Sequence, residues 1–282
     1  MERCAIIAQR LKFMKNLERV KKLLENDGIK FLETKVFKDG VEKKAIAAGE
    51  GTCKLTIYED TFINSDTDEK IMDFICSSLK TVPEKSVVEN WFSWDYAKEH
   101  VRLVLRPRSI IDDGKFIKHQ INDNLEFTFR IFIENGTIQL TCPYLKEWNI
   151  EEEELYHIAL TNTVNDTVLV SMAAVLCMEE DEFSELDFPM SIITNSEKRY
   201  GASSILNTEE LEKIAKKYDD DLYVIPSSLH ECMISLAGKN SYESLKRIIK
   251  EGNKTQILPK DFLADYPFYY KKGSLKIDFE QK

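Results

Sequence analysis

The sequence lacks the long apolar runs that membrane-spanning segments need. Its longest apolar run, Val168–Met178, has about half of the roughly 18 residues that a membrane helix requires. The first 22 residues are charged throughout and lack the apolar core of a secretory signal peptide. We therefore expect a cytoplasmic protein that does not enter a membrane.

Paired cysteines are also missing. The six cysteines are scattered with no C-x-x-C pair, and most stand among apolar neighbours, which is typical of buried free thiols. His230-x-Cys232 is the only close histidine–cysteine pair, and two ligands alone do not define a zinc site. The sequence therefore predicts neither disulfides nor a metal site, and it indicates no particular cofactor.

Positive charge is scarce in one part of the chain. Between Lys146 and Asp187 one basic residue faces twelve acidic ones, a net charge of −11, compared with −10 for the whole chain. Phosphate contacts need basic residues, so direct nucleic-acid binding is disfavoured, and a protein partner with a basic surface is favoured. DNA mimicry is a further hypothesis, which requires the carboxylates of Glu151–Glu154 and Glu179–Asp187 to follow one face with the spacing of phosphates.

The apolar periodicity predicts an α+β fold, with helices and a small sheet in the N-terminal part and a mixed sheet in a C-terminal α/β part. An apolar stripe from Ile7 to Leu24 predicts the first helix. Further helices are predicted at 68–79, 91–105, 151–162, 208–218 and 241–251, the last ended by Gly252. Strands are predicted at 30–38, 53–59, 116–121, 125–133, 137–142, 189–194, 221–225, 231–236, 266–270 and 274–279.

Three regions follow from this pattern. They are an N-terminal α+β region at 1–143, an acidic helical connector at 144–188 and a C-terminal α/β region at 189–282. The acidic segment Glu179–Phe188 is the predicted boundary between the two halves.

The bend within Asp221–Leu236 contains Ser227, Ser228, His230 and Glu231 between two apolar runs. Serine as nucleophile and histidine as base would suit a hydrolase. However, the chain has no G-x-S-x-G elbow, and His230 and Glu231 would point to opposite faces of a strand. The alternative is that both serines bond backbone groups of the turn while His230 is a partly buried hydrogen-bonding residue.

The turn at Asn195–Ser204 is a second candidate. Its backbone N–H groups could hold an anion at a short helix, Gly201–Leu206, with Lys198 and Arg199 adding positive charge. The spacing matches neither G-x-x-x-x-G-K nor G-x-G-x-x-G, so a capping turn is the alternative interpretation.

Four segments resemble a known family: Ile192–Asn195, Tyr200–Ala202, Asp221–Glu231 and Gly252–Tyr270. They resemble domain of unknown function 5688, a family of uncharacterised bacterial proteins often found in genomes rich in mobile elements. The turn from Pro226 to His230 also resembles, more distantly, domain of unknown function 1444. The resemblance implies that the family pattern includes Asn195, Gly201, Ala202, Ser227, Ser228, His230, Glu231, Asn253, Thr255 and Gln256.

We predict a cytoplasmic binding or interaction protein, because no complete catalytic set accompanies the acidic stretch. The resemblance adds an accessory role in mobile genetic elements as a hypothesis. A hydrolase with His230 as base, and Ser228 and Glu231 as further catalytic candidates, is the alternative. The predicted ligand-binding residues are Asn195, Gly201, Ser203, Ser227, Asn253 and Gln256. Each interpretation that uses them requires three polar turns to meet in one water-accessible cavity: the first at Asn195–Ser204, the second at Ser227–Glu231 and the third at Asn253–Gln256.

Overall fold

The fold is that of a computed structural model, which describes residues 16–38, 41–50, 54–62, 66–108, 115–134, 136–177 and 191–280. The chain forms two compact units, Met1–Phe92 and Ser93–Lys282. Within these residues helices accompany three antiparallel sheets, so the predicted α+β class is confirmed. Four predicted features lie outside the described residues: Ile7–Met14 of the first stripe, the starts of the strands at 53–59 and 189–194, and the Glu179–Phe188 segment.

In the first unit two helices, α1 at 16–26 and α2 at Asp68–Lys80, share one apolar cluster with a three-stranded antiparallel sheet. The order of its strands is β1–β2–β3. The elements after α1 are β1 Phe31–Lys38, β2 Val41–Ala48, β3 Leu55–Tyr58, α2 Asp68–Lys80 and α3 Lys85–Trp91. Leu17, Val20 and Leu24 of α1 are buried in one cluster with Ile46 and Ile75, which confirms the described part of the predicted stripe. The sequence pattern did not predict β2, because its lysines and alanines are poor strand formers.

The second unit begins with α4 Trp94–His100 and a sheet of order β4–β6–β5, in which another strand, β7, also pairs with β6. The strands are β4 Val101–Pro107, β5 Lys118–Gln120, β6 Leu125–Ile133 and β7 Gly136–Gln139. The helix predicted over 91–105 is confirmed only at Trp94–His100, because the backbone becomes extended at Val101 (φ −72°, ψ 133°) and residues 101–105 belong to β4. The aliphatic residues of β4 are buried on both faces, and such a run cannot be told from a buried helix by periodicity.

A five-stranded antiparallel sheet forms the rest of this unit, with the order β12–β10–β11–β9–β8. Its strands and the neighbouring helices are α5 Pro143–Trp148, α6 Glu152–Asn165, β8 Thr167–Ser171, α7 Met172–Val175, β9 Ser191–Asn195, a 3-10 helix Gly201–Leu206, α8 Thr208–Tyr218, β10 Leu222–Pro226, β11 Cys232–Leu236, α9 Tyr242–Thr255, a 3-10 helix Pro259–Asp261 and β12 Phe268–Tyr270. The predicted hairpin is confirmed by the pairing of Leu222 with Leu236 and of Pro226 with Cys232.

The prediction of a mixed sheet needs correction, because every strand pair of this sheet is antiparallel. A helix connects β9 to β10, and these two strands run in the same direction, which is the pattern of a parallel sheet. However, β11 lies between them and pairs antiparallel with both. Two smaller predictions are also wrong: α9 continues past Gly252 to Thr255, and the described part of the tail forms one strand, with only an isolated bridge between Tyr269 and Asp278.

The division between the units falls between Phe92 and Ser93, whereas the sequence predicted boundaries after 143 and after 188. Residues on both sides of position 188 belong to one sheet, since Thr167 in β8 pairs with Asn195 in β9. Across the described ranges, none of the helices combines the length and the apolar character needed to cross a membrane.

Candidate functional site

Two of the three predicted polar turns meet at the ends of β9 and β11. Asn195 is 4% exposed, and its side chain closes the first turn by donating to the Arg199 carbonyl (2.8 Å) and accepting from the Arg199 N–H (3.1 Å). The Ala202 N–H donates to the carbonyl of Leu229 at 3.2 Å, which joins this turn to the hairpin bend. Asn195 therefore shapes the turn, and both polar atoms of its side-chain amide form hydrogen bonds within the turn.

Gly201 makes the close approach of the two turns possible. A Cβ atom at this position would overlap the Thr194 hydroxyl oxygen and would lie 2.6 Å from both the Asn195 nitrogen and the His230 carbonyl oxygen. Thr194 itself donates its hydroxyl to the same His230 carbonyl at 2.7 Å. The glycine is thus required by space, which gives a structural reason for its place in the pattern.

His230 uses both ring nitrogens within the protein. Its Nδ1 accepts the Tyr200 N–H at 3.0 Å, so the proton of the neutral ring is on Nε2, which faces Asp261 Oδ1 at 3.3 Å. The side chain of His230 is 34% exposed and that of Asp261 25% exposed. A second bond, from the Leu229 N–H to the Asp261 carbonyl (2.9 Å), holds the same two segments together.

The serine hydroxyls near His230 bond backbone groups. Ser203 is 1% exposed and accepts the Leu105 N–H at 2.6 Å, on the side of β4 where none of the described strands lies. Ser228 accepts the N–H of His230 at 3.0 Å, and its own N–H donates to the Glu231 carbonyl at 3.2 Å. Among the described residues, no hydrogen bond joins the His230 ring to a serine hydroxyl.

The arginines around the first turn lie close to carboxylates. Arg199 lies 3.5 Å from Glu197, whose other oxygen lies 3.9 Å from Arg102, and Arg102 pairs with Asp166 at 3.0 Å. A phosphate at this turn would meet two carboxylates as well as Lys198 and the two arginines. The capping interpretation therefore accounts for the turn better than an anion site does.

The third polar turn lies at the end of α9 and lines a groove. Ser227, Asn253, Thr255 and Gln256 contribute to a cavity of about 370 Å³. The remaining lining residues are mostly apolar: Ile225, Pro226, Met233, Ile248, Ile249, Glu251, Gly252 and Ile257. The structure thus brings Ser227 together with Asn253 and Gln256, whereas Asn195, Gly201 and Ser203 are buried around the other two turns.

The acidic residues Glu151–Glu154 are exposed at the start of α6. Glu153 lies 3.2 Å from His157 one turn later, and the acidic group faces the positive end of the helix dipole. The other half of the proposed DNA-mimicking surface, Glu179–Asp187, is outside the described residues. Within the part of the chain that the structure describes, no three His, Cys, Asp or Glu side chains are placed to hold a metal ion.

Comparison with family models supplies one match, which spans residues 13–272. The chain belongs to the family of unknown function DUF5688. Comparison with curated proteins and with solved structures returned no match. The family segment includes all three polar turns.

Two residues that hold the turns together were not among the candidates from the sequence. Asp261 contacts both Leu229 and His230, and the N–H of Tyr200 donates to Nδ1 of the His230 ring. Asp261 lies within the Gly252–Tyr270 segment that carries the family resemblance, which is the signal that could have identified it. The Tyr200 contact involves its backbone, so no residue-type signal exists for it.

Proposed function

We propose that this DUF5688 protein binds a ligand without turning it over, and that the ligand site is the groove beside α9. The observation that carries this proposal is the convergence of Ser227 with Asn253 and Gln256 on one cavity with an apolar floor. Ligand sites are typically concave, mostly apolar and supplied with a few polar groups, with volumes of about 300–1,000 Å³. The groove, at about 370 Å³, has these properties.

The environment of His230 supports binding over hydrolysis. A general base needs a nitrogen lone pair within reach of the nucleophile. In His230 that lone pair accepts the Tyr200 N–H, and the hydroxyls of Ser203 and Ser228 accept backbone N–H groups. These three side chains are therefore supplied with partners before any substrate arrives.

We infer the broader setting from the family resemblance and from the charge. We infer that the protein acts in the cytoplasm of a bacterium, as an accessory of mobile genetic elements, and that a partner with a basic surface contacts the exposed Glu151–Glu154. Direct nucleic-acid binding is disfavoured by the same charge. The likeness of Pro226–His230 to domain of unknown function 1444 stays a prediction.

A pair of variants at one position tests the groove. A Cβ added at Gly252 meets no atom within 4 Å, so Gly252→Leu should fold and place its side chain in the groove, while Gly252→Ala leaves the groove open. Fluorinated fragments observed by ¹⁹F NMR should bind wild type and Gly252→Ala, and should lose binding to Gly252→Leu. Fragments that bind all three proteins equally would contradict the assignment of the groove.

A further inference from the structure

The side chains that line the groove beside α9 carry negative charge. Glu251 is the one charged side chain that lines it, and this exposed carboxylate forms no ion pair with any residue that the structure describes. The nearby Lys250 pairs instead with Asp265, at 3.7 Å. Lys254 lies on the same helix but does not line the groove. The lining is therefore acidic.

The backbone adds to this negative character. Gly252, Asn253 and Thr255 belong to the last turn of α9, and they form one wall of the groove. The carbonyl end of a helix carries a partial negative charge, which favours cations. Asn253 donates its Nδ2 to the carbonyl of Ala264 at 2.9 Å, so its Oδ1 is left as an acceptor.

The apolar part of the groove can contact the uncharged body of a ligand. Ile225 and Ile249 are almost fully buried at its floor, and Met233 is half-buried beside them. Ile248 is 60% exposed at its edge, so an apolar body in the groove would remove part of this side chain from water.

We infer that the groove takes a small apolar molecule with one positively charged amine, whose ammonium group pairs with Glu251. This inference rests on the proposed function, because it specifies the chemistry of the same site. The alkyl or aryl body packs on Ile225, Ile249 and Met233. The N–H groups of the ammonium that do not bond Glu251 donate to acceptors in the last turn of α9.

The test uses three probes of equal chain length below their micelle concentrations: octylamine, octanol and octanoate. Binding is followed by the ¹³C-methyl signals of Met233 and Ile248 in wild type, in Glu251→Gln and in the control Glu243→Gln, which removes an exposed carboxylate from the first turn of the same helix. We expect octylamine to bind about three- to tenfold more tightly than octanoate, from the energies of exposed ion pairs and of helix ends. Glu251→Gln should weaken octylamine about two- to fivefold, while Glu243→Gln should not.

Different failures separate the two proposals. If octanoate or octanol binds as tightly as octylamine, or if Glu243→Gln has the same effect as Glu251→Gln, the amine inference is overturned while the groove remains a ligand site. If none of the three probes shifts the methyl signals of Met233 and Ile248, the proposed function fails together with the inference.

Discussion

A methyl group at position 201 should destabilise the second unit, because there is no room for it where the two polar turns meet. The Cβ of Gly201→Ala would lie 2.6 Å from two backbone atoms of Asn195 and His230, about 1 Å inside the normal contact distance. Overpacking of this kind costs about 1–3 kcal/mol, and displacing the Thr194 hydroxyl from the His230 carbonyl adds about 1 kcal/mol for a lost hydrogen bond. We expect the free energy of unfolding to fall by about 2–4 kcal/mol.

Urea unfolding of the second unit measures this change. In a Trp91→Phe background, the remaining tryptophans, Trp94 and Trp148, both report on residues 93–282. Gly252→Ala is the matched control, because its methyl group meets no atom within 4 Å inside α9 and should raise stability by about 0.5–1 kcal/mol. An unfolding midpoint of Gly201→Ala equal to that of wild type would refute the steric argument, since the turns would then have space that the structure denies them.

Two further predictions concern hydrogen bonds elsewhere in the second unit. Ser203→Ala leaves the buried Leu105 N–H without its acceptor and should lower the free energy of unfolding by about 1–3 kcal/mol, measured by urea titration; an unchanged midpoint would contradict this role. The pKa of Tyr269 is raised to about 12, chiefly by its hydrogen bond to Asp221, and burial is the main cause that raises the pKa of Tyr270 to about 12. The unfolded chain loses these protons near pH 10, so stability should fall as the pH rises from about 10 to 12, and less so in Tyr269→Phe; a Tyr269 absorbance titration centred near pH 10 would exclude this coupling.

Local features of the fold could be predicted from the sequence, and the pairing of distant strands could not. The hairpin Leu222–Leu236 was predictable because two apolar runs flank a short polar bend, and α8 because its apolar residues recur at helical spacing. The order β10–β11–β9 depends on contacts between strands far apart in the chain, which periodicity does not contain. The antiparallel character of the sheet therefore became visible only in the structure.

The same limit applies to the candidate site. The polar bends were predictable because hydroxyl, amide and imidazole side chains cluster between apolar runs. The hydrogen-bond partners of these side chains could not be predicted. The His230 ring, for example, bonds Tyr200, 30 residues earlier in the chain, and Asp261, 31 residues later. The groove formed by Ser227 and Asn253 likewise depends on how α9 lies against the ends of β10 and β11.

The polar residues predicted as site candidates divide into two groups with different physical tasks. Backbone N–H groups buried without partners are costly, and Ser203 and His230 each accept one that has no strand or helix bond among the described residues. Ser227 and Gln256 instead face a cavity that water can reach. Substitutions in the first group should therefore lower stability whether or not a ligand is present. Substitutions in the second should leave stability unchanged and weaken ligand binding, so paired melting and binding measurements on Ser203→Ala and Gln256→Ala would separate the two tasks.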